Sequence, residues 1–300
     1  MSLSRRKFIR NLATGLFVPT LMDSALHASS GLGFWNITGS AFSWDADVLD
    51  WISRVQGQGS DTSTNTRLAV NSFVLAVKSY TGLWTKLKRI GVYAGDDINA
   101  VKAPLKKDWG GTNDGVASFA GGDYSESTGL TGTAGSQKGI ATGVVMSAVA
   151  TINDIHVSFY SRTATQEAHT IVGTVDGGSQ EIELLARYAA NTSYFAACSN
   201  SQYATGADTS GAGWYLGSRT ASNSQKLYRN GSLLGTNTTP AGTLPTTQMT
   251  FHCQNASNIS GDGSSKALSF YSLGLGLDAT DASNLYPLIQ TLQTALSRQV

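Results

Sequence analysis

A chain of 300 residues with 41% hydrophobic content can bury a sizeable core, as one large β domain or two ordinary ones, and needs neither metal nor disulfides to fold. Charged residues make up 14%, glycine occurs 33 times and the net charge is +1. That is the make-up of a turn-rich all-β protein, and it provides no global field to draw the chain onto nucleic acid or an anionic membrane. Two cysteines with no Cys-x-x-Cys exclude a thiolate zinc site.

In chain order, Ser4-Arg5-Arg6-Lys7-Phe8-Ile9-Arg10 resembles a twin-arginine export signal, and a short apolar stretch from Leu12 to Met22 follows it. That stretch is too short to cross a bilayer, so no transmembrane anchor is expected. The reading implies export to the periplasm, cell surface or medium. From Asp45, the positions Val48, Leu49, Trp51, Ile52 and Val55 recur at three- and four-residue spacing, which predicts a helix ended by Gly57 and Gly59. A second stripe runs through Leu68, Val70, Phe73, Val74 and Val77, with Asp61 as its candidate cap and Gly82 as its stop. A third short helix is expected to carry Leu83, Trp84, Leu87 and Ile90.

Beyond Trp109 the period changes from helical to alternating. Ile155, Val157 and Phe159 share one face of a predicted strand, with His156, Ser158 and Tyr160 on the other. Residues 180–188 repeat the pattern, with Ile182, Leu184, Ala186 and Tyr188 facing in and Glu181 and Glu183 facing out; Asp176-Gly177-Gly178 precedes them as a turn. Asn230-Gly231 sits between Gln225–Arg229 and Ser232–Gly235, and this dipeptide tolerates the positive φ angles of a tight hairpin turn. Further strands are expected around 139–146, 168–175, 192–198, 212–218, 247–253 and 266–274. No ten-residue helix interrupts this series, so the strands should be antiparallel and form two facing sheets or a jelly roll. A final helix runs from about Asp278 to Ser297, capped by Asp278 or Asp281, with Pro287 expected to kink or break it. The terminal helices should pack together or against the sandwich and cover strand edges. The division is a signal segment at 1–28, an extension with helices at 29–108, and a β-sandwich closed by a helix at 109–300.

Tyr228-Arg229-Asn230-Gly231-Ser232-Leu233-Leu234-Gly235 resembles the strand-turn-strand of laminin-G-like and concanavalin A-like jelly rolls. Gly82-Leu83-Trp84-Thr85-Lys86 and the terminal Leu296-Ser297-Arg298-Gln299-Val300 are similar to an uncharacterised group of such proteins from phage and environmental bacteria. The resemblance covers roughly 45–300. It implies a mainly β, two-sheet sandwich with amphipathic helices packed on it, borne on a bacterial surface or, in the alternative, in a phage virion.

The expected function is non-catalytic glycan recognition or adhesion at a cell-surface polysaccharide. It would need exposed rings that stack on sugar C–H faces, beside groups that pair with hydroxyls. Trp109, Tyr124, Tyr203, Trp214 and Tyr215 are the aromatic candidates, with Asn113 and Asp123 beside them in sequence. Asp114, Asp208 and Asp262, in Gly-rich loops, are candidate calcium ligands by the same resemblance. Cys198 and Cys253 either pair across neighbouring strands or remain buried thiols.

A structural or assembly module that contacts its own copies or another surface protein is the alternative. Glycoside hydrolysis ranks lower: Glu181-Ile182-Glu183-Leu184-Leu185-Ala186 has two carboxylates at strand spacing, but alanine stands where the acid of a Glu-x-Asp-x-x-Glu strand belongs. No catalytic residue is assigned. The Gly274-Leu275-Gly276 run is read as a strand-to-helix turn and not a dinucleotide fingerprint. The lysine-rich stretch from Lys78 to Lys107 is either the wet face of helices or a surface for acidic polysaccharide.

Overall fold

The computed structural model describes residues 43–176, 180–199, 201–256 and 259–300. The export segment at 1–28 and the turn glycines Gly177 and Gly178 lie outside them. Residues Ser43–Val300 form one compact unit.

The helices are α1 (Ala46–Gly57), α2 (Thr64–Ser79), α3 (Leu83–Lys86), α4 (Met146–Val149) and α5 (Ala279–Ala295). The first nine strands are β1 (Leu87–Gly91), β2 (Lys106–Lys107), β3 (Gly115–Ala117), β4 (Tyr124–Ser125), β5 (Gly129–Thr131), β6 (Gly139–Val145), β7 (Ile155–Ser161), β8 (Val172–Val175) and β9 (Glu181–Tyr188). The rest are β10 (Thr192–Ala197), β11 (Ala204–Ala207), β12 (Gly213–Ala221), β13 (Ser224–Arg229), β14 (Ser232–Asn237), β15 (Gln248–Phe251), β16 (Gln254–Ala256), β17 (Ile259–Gly261) and β18 (Ala267–Gly274).

These strands make two nine-stranded sheets. The first runs β14-β13-β12-β7-β18-β1-β2, with β5 and β4 added beside β18. The second runs β11-β10-β9-β8-β15-β6-β3, with β16 and β17 added beside β8. Among the described residues the pairings are antiparallel except β16 on β8. The Asn230-Gly231 hairpin forms as the sequence predicts, with φ of 50° and 77° at the two turn residues.

The unit formed by Ser43–Val300 has three layers. Between the sheets, Val157, Phe159, Tyr215 and Tyr271 of the first meet Ile182, Leu184, Phe195 and Phe251 of the second. Gly217 on β12 makes room there, since a Cβ at that position would lie 2.1 Å from the Phe195 ring. On the other side of the first sheet, Tyr160, Trp214, Leu216, Tyr228 and Phe270 are covered by Trp51, Val55, Phe73, Val77, Leu285 and Ile289 of α1, α2 and α5. The helices therefore lie on a sheet face and not along strand edges. Strand β7, expected to be half-buried, is buried along its whole length, because its two faces feed two different cores.

Local signals decide most of the helix ends. Asp45 caps α1 by accepting the Asp47 N–H. Ser63, not Asp61, caps α2 by accepting the Thr66 N–H at 3.1 Å, while Asp61 takes the Arg67 guanidinium at 2.6 Å. The third helix stops at Lys86, and Leu87 and Ile90 belong to β1, held between β18 and β2. Apolar residues three apart suit a helix or a strand end equally, and pairing with β18 decides it. Asp278 and Asp281 close α5 with a reciprocal capping box. Pro287 does not break α5 into two: it stands on the exposed face, as does Ser283, whose carbonyl loses its partner and can turn to water.

Candidate functional site

Helices cover the outer face of the first sheet, and the candidate site lies on the outward face of the second. On β9 the side chains Glu181, Glu183 and Leu185 point out, opposite to Ile182, Leu184 and Ala186 in the core. One extra residue then enters the strand. Thr192 pairs with Tyr188 and Tyr194 with Leu185, so two residues of β9, Ala186 and Arg187, face one of β10, Ser193, and Arg187 takes a φ of 45° at the bulge. The bulge turns Tyr188 to the same face as Leu185, away from the core where strict alternation places it.

The result is a hollow of about 330 Å³ lined by Thr170, Glu183, Leu185, Tyr188, Tyr194, Tyr203, Gln254 and Asp262. That volume lies at the lower end of the roughly 300–1,000 Å³ of small-molecule sites. Its tyrosines stand edge to face, Tyr188 on Tyr194 at 5.7 Å and 83°, and Tyr194 on Tyr203 at 5.6 Å and 86°. Glu183 is only 7% exposed. It accepts from the Tyr203 hydroxyl at 3.0 Å and from the Gln254 amide. Burial pushes its carboxyl above the ordinary glutamate range, with the charges of Glu181 and Asp262 adding to the rise and the Tyr203 hydrogen bond opposing it. Beside it, Glu181 accepts the Ser201 N–H at 2.6 Å and is also raised by burial. Asp262 accepts from His169 Nδ1 at 2.7 Å and from the Thr170 hydroxyl at 3.1 Å. Rings, a carboxylate pair, an amide and a hydroxyl thus converge on one concave surface.

Of the ligand-binding and calcium candidates read from the sequence, Tyr203 and Asp262 are in this hollow and the others are not. Trp214 is fully buried under α5, stacked on Tyr286 at 6.5 Å. Tyr215 is buried against Phe159, and its hydroxyl donates to Asp208 at 2.6 Å. Tyr124 is buried and donates to the Gly95 carbonyl at 2.9 Å. Trp109 is half-buried against the inter-sheet core. Asn113 is exposed, and Asp123 pairs with Lys138 at 2.7 Å while accepting the Ala120 N–H. Gly-rich surroundings do not distinguish a ring on a loop from one anchoring a loop to the core, and here most anchor.

The three aspartates read as calcium ligands are not brought together. Asp114 is buried against Arg89 at 2.7 Å and the Tyr271 hydroxyl. Asp208 is spent on Ser193, Tyr215 and the N–H groups of Ser210 and Gly211. Among the described residues no three His, Cys, Asp or Glu side chains gather as a metal site. Cys198 and Cys253 are both buried, but they follow β10 and β15, which β9 and β8 separate. Three strand steps, roughly 14 Å, are beyond the reach of a disulfide, and burial pushes the Cys198 thiol up to about 12.

Sequence reasoning missed Tyr188, Tyr194, Gln254 and Thr170 as site residues. It placed Glu181 and Glu183 on the outward face, where they stand, yet both are buried there. Ala186 lies on the core face, so no carboxylate completes a hydrolase triad there. Four of the six lysines of the basic stretch form ion pairs, Lys78 with Asp45 and Asp47, Lys86 with Asp281, Lys106 with Asp108, and Lys107 with Asp50, and Lys102 donates to Asn99 at 2.8 Å.

Fold and site together define a two-sheet β-sandwich with one face helix-covered and the other bearing an aromatic hollow. No protein-family model matches the chain, and no curated protein matches it in sequence. Among solved structures, the chain is similar to botulinum neurotoxin type C, described as entering cells through interaction with two ganglioside molecules (15% identity, 53% of this chain and 42% of that one, TM-score 0.39). It is also similar to domain 4 of AbnA, an extracellular arabinanase of Geobacillus stearothermophilus solved with arabinotriose (14% identity, 67% of this chain and 98% of that one, TM-score 0.46). A third likeness is to the NanB sialidase of Streptococcus pneumoniae (9% identity, 51% and 27%, TM-score 0.36). The chain spans less than half the length of the toxin and sialidase chains it matches.

Proposed function

We propose that this is an exported glycan-binding protein whose combining site is the tyrosine hollow on the outward face of the second sheet. The observation that carries the reading is the convergence of Tyr188, Tyr194 and Tyr203 with Glu183, Gln254 and Thr170 around one cavity. Stacked sugar C–H faces need such rings, and ring hydroxyls need paired donors and acceptors beside them. A preorganised wall favours binding because little side-chain freedom remains to be lost, and the tyrosines are held by one another and by the Glu183–Tyr203 hydrogen bond. Adhesion to a surface polysaccharide follows from export together with such a site.

A glycan array followed by calorimetry tests this. Tyr194→Ala should weaken binding of the selected glycan on the order of tenfold or more, as loss of a stacking ring does at the centre of a contact. Trp109→Ala, outside the hollow, should leave it within about twofold. An array on which nothing binds, or binding unchanged in a Tyr188→Ala, Tyr194→Ala double variant, would overturn the assignment.

A further inference from the structure

We infer that the hollow selects its glycan by charge: it takes sugars carrying a free, protonated amine in preference to their N-acetylated forms, and rejects uronic and sialic acids. The inference rests on the glycan-binding reading and adds the ligand's chemical class.

Two carboxylates, Glu183 and Asp262, line the cavity, and no lysine or arginine does so among the described residues. Several carboxylates elsewhere have a cation as partner, while others, such as Glu167 on Ser264 and Ser265, receive neutral donors. The buried Asp114 has Arg89, Asp281 has Lys86, and Asp45 and Asp47 share Lys78. Glu183 instead receives only neutral donors, the Tyr203 hydroxyl and the Gln254 amide. Glu181, just behind it, receives the Ser201 N–H and hydroxyl. Asp262, in contrast, has the His169 imidazole as a partner, with the His169 side chain 30% exposed. A carboxylate held without a cation in a water-poor recess bears an uncompensated desolvation cost. An ammonium group entering the hollow relieves that cost, and the negative faces of three tyrosine rings favour the same sign of charge. A second carboxylate brought by a uronic or sialic acid meets repulsion from both acidic groups and finds no cation to receive it.

Calorimetry with length-matched oligomers of glucosamine, N-acetylglucosamine and galacturonic acid, alongside the array, tests the inference. The glucosamine oligomer should bind on the order of tenfold more tightly than the N-acetylated one, the weight of one charge-assisted hydrogen bond at a partly open site. The galacturonate oligomer should show no saturable binding. Glu183→Gln keeps an acceptor for Tyr203 and should bring the two glucosamine-type ligands to within about threefold of each other. Galacturonate bound as tightly as the neutral oligomer, an array whose bound set is acidic, or a preference for the amine that persists in Glu183→Gln would each overturn this inference and leave glycan binding standing. An array with no bound glycan removes both.

Discussion

Lowering the pH from about 7 to about 5 should weaken the fold through two histidines that the core holds uncharged. His156 and His252 are fully buried. Burial holds their pKa values down, to about 4 for His156 and about 3 for His252, from an ordinary 6.5. His156 retains partners, the Leu275 carbonyl at 2.6 Å and the Ser272 hydroxyl at 3.1 Å. Among the described residues neither ring nitrogen of His252 has a hydrogen-bond partner, and the ring sits between Tyr93 and Phe119. The unfolded chain takes up protons below pH 6.5 and the native chain does not until far lower, so stability is present above that value and falls as the pH drops toward the native pKa values. At pH 5 the unfolded state gains RT ln(1 + 10^1.5), about 2 kcal/mol for each histidine, almost independently of how low the native pKa lies. The raised carboxyls of Glu181 and Glu183 act in the opposite sense over part of this range, so the comparison must isolate one histidine. His252→Phe keeps a flat ring in the aromatic niche and removes the titration. Urea unfolding of both proteins at the two pH values should show the wild type losing about 2 kcal/mol more than the variant on acidification. Equal losses would refute the claim that His252 is buried uncharged.

Three further outcomes follow from the packing. Arg298 is fully buried and donates to the Val92 and Tyr93 carbonyls at 2.6 and 2.8 Å and to Gln293, so Arg298→Met should cost about 3 kcal/mol by leaving buried carbonyls unpaired, read as a shift of the urea midpoint. Gly217→Ala should cost about 1–3 kcal/mol by forcing the Phe195 ring out of its place between the sheets, measured by thermal unfolding. Trp214→Ala should destabilise by about 3–5 kcal/mol and leave glycan affinity of the folded fraction unchanged, because that ring anchors α5 to the sheet; a selective loss of affinity at full stability would return Trp214 to the binding site.

Much of the chain's local structure is legible in its residues. The period of two, the Asn230-Gly231 turn, the α1 stripe and the paired aspartates at the start of α5 each act over a few neighbouring residues, and a sequence displays such neighbours directly. Alternation says that a strand has two faces but not what covers each. Strand β7 shows this, with His156, Ser158 and Tyr160 looking like a wet face until three helices from opposite ends of the chain are laid over it. The hollow was less legible still. Its tyrosines come from β9, β10 and the segment after β10, its amide from β16 and its aspartate from beyond β17, and the bulge at Arg187 sends Tyr188 to the side opposite its sequence parity. The sequence by itself determined the sandwich, its main turns and the apolar stripes of its helices, because these follow from interactions between near neighbours. Only the tertiary structure decided which sheet face bears the hollow and which side chains meet on it, because strand order and a single inserted residue set both.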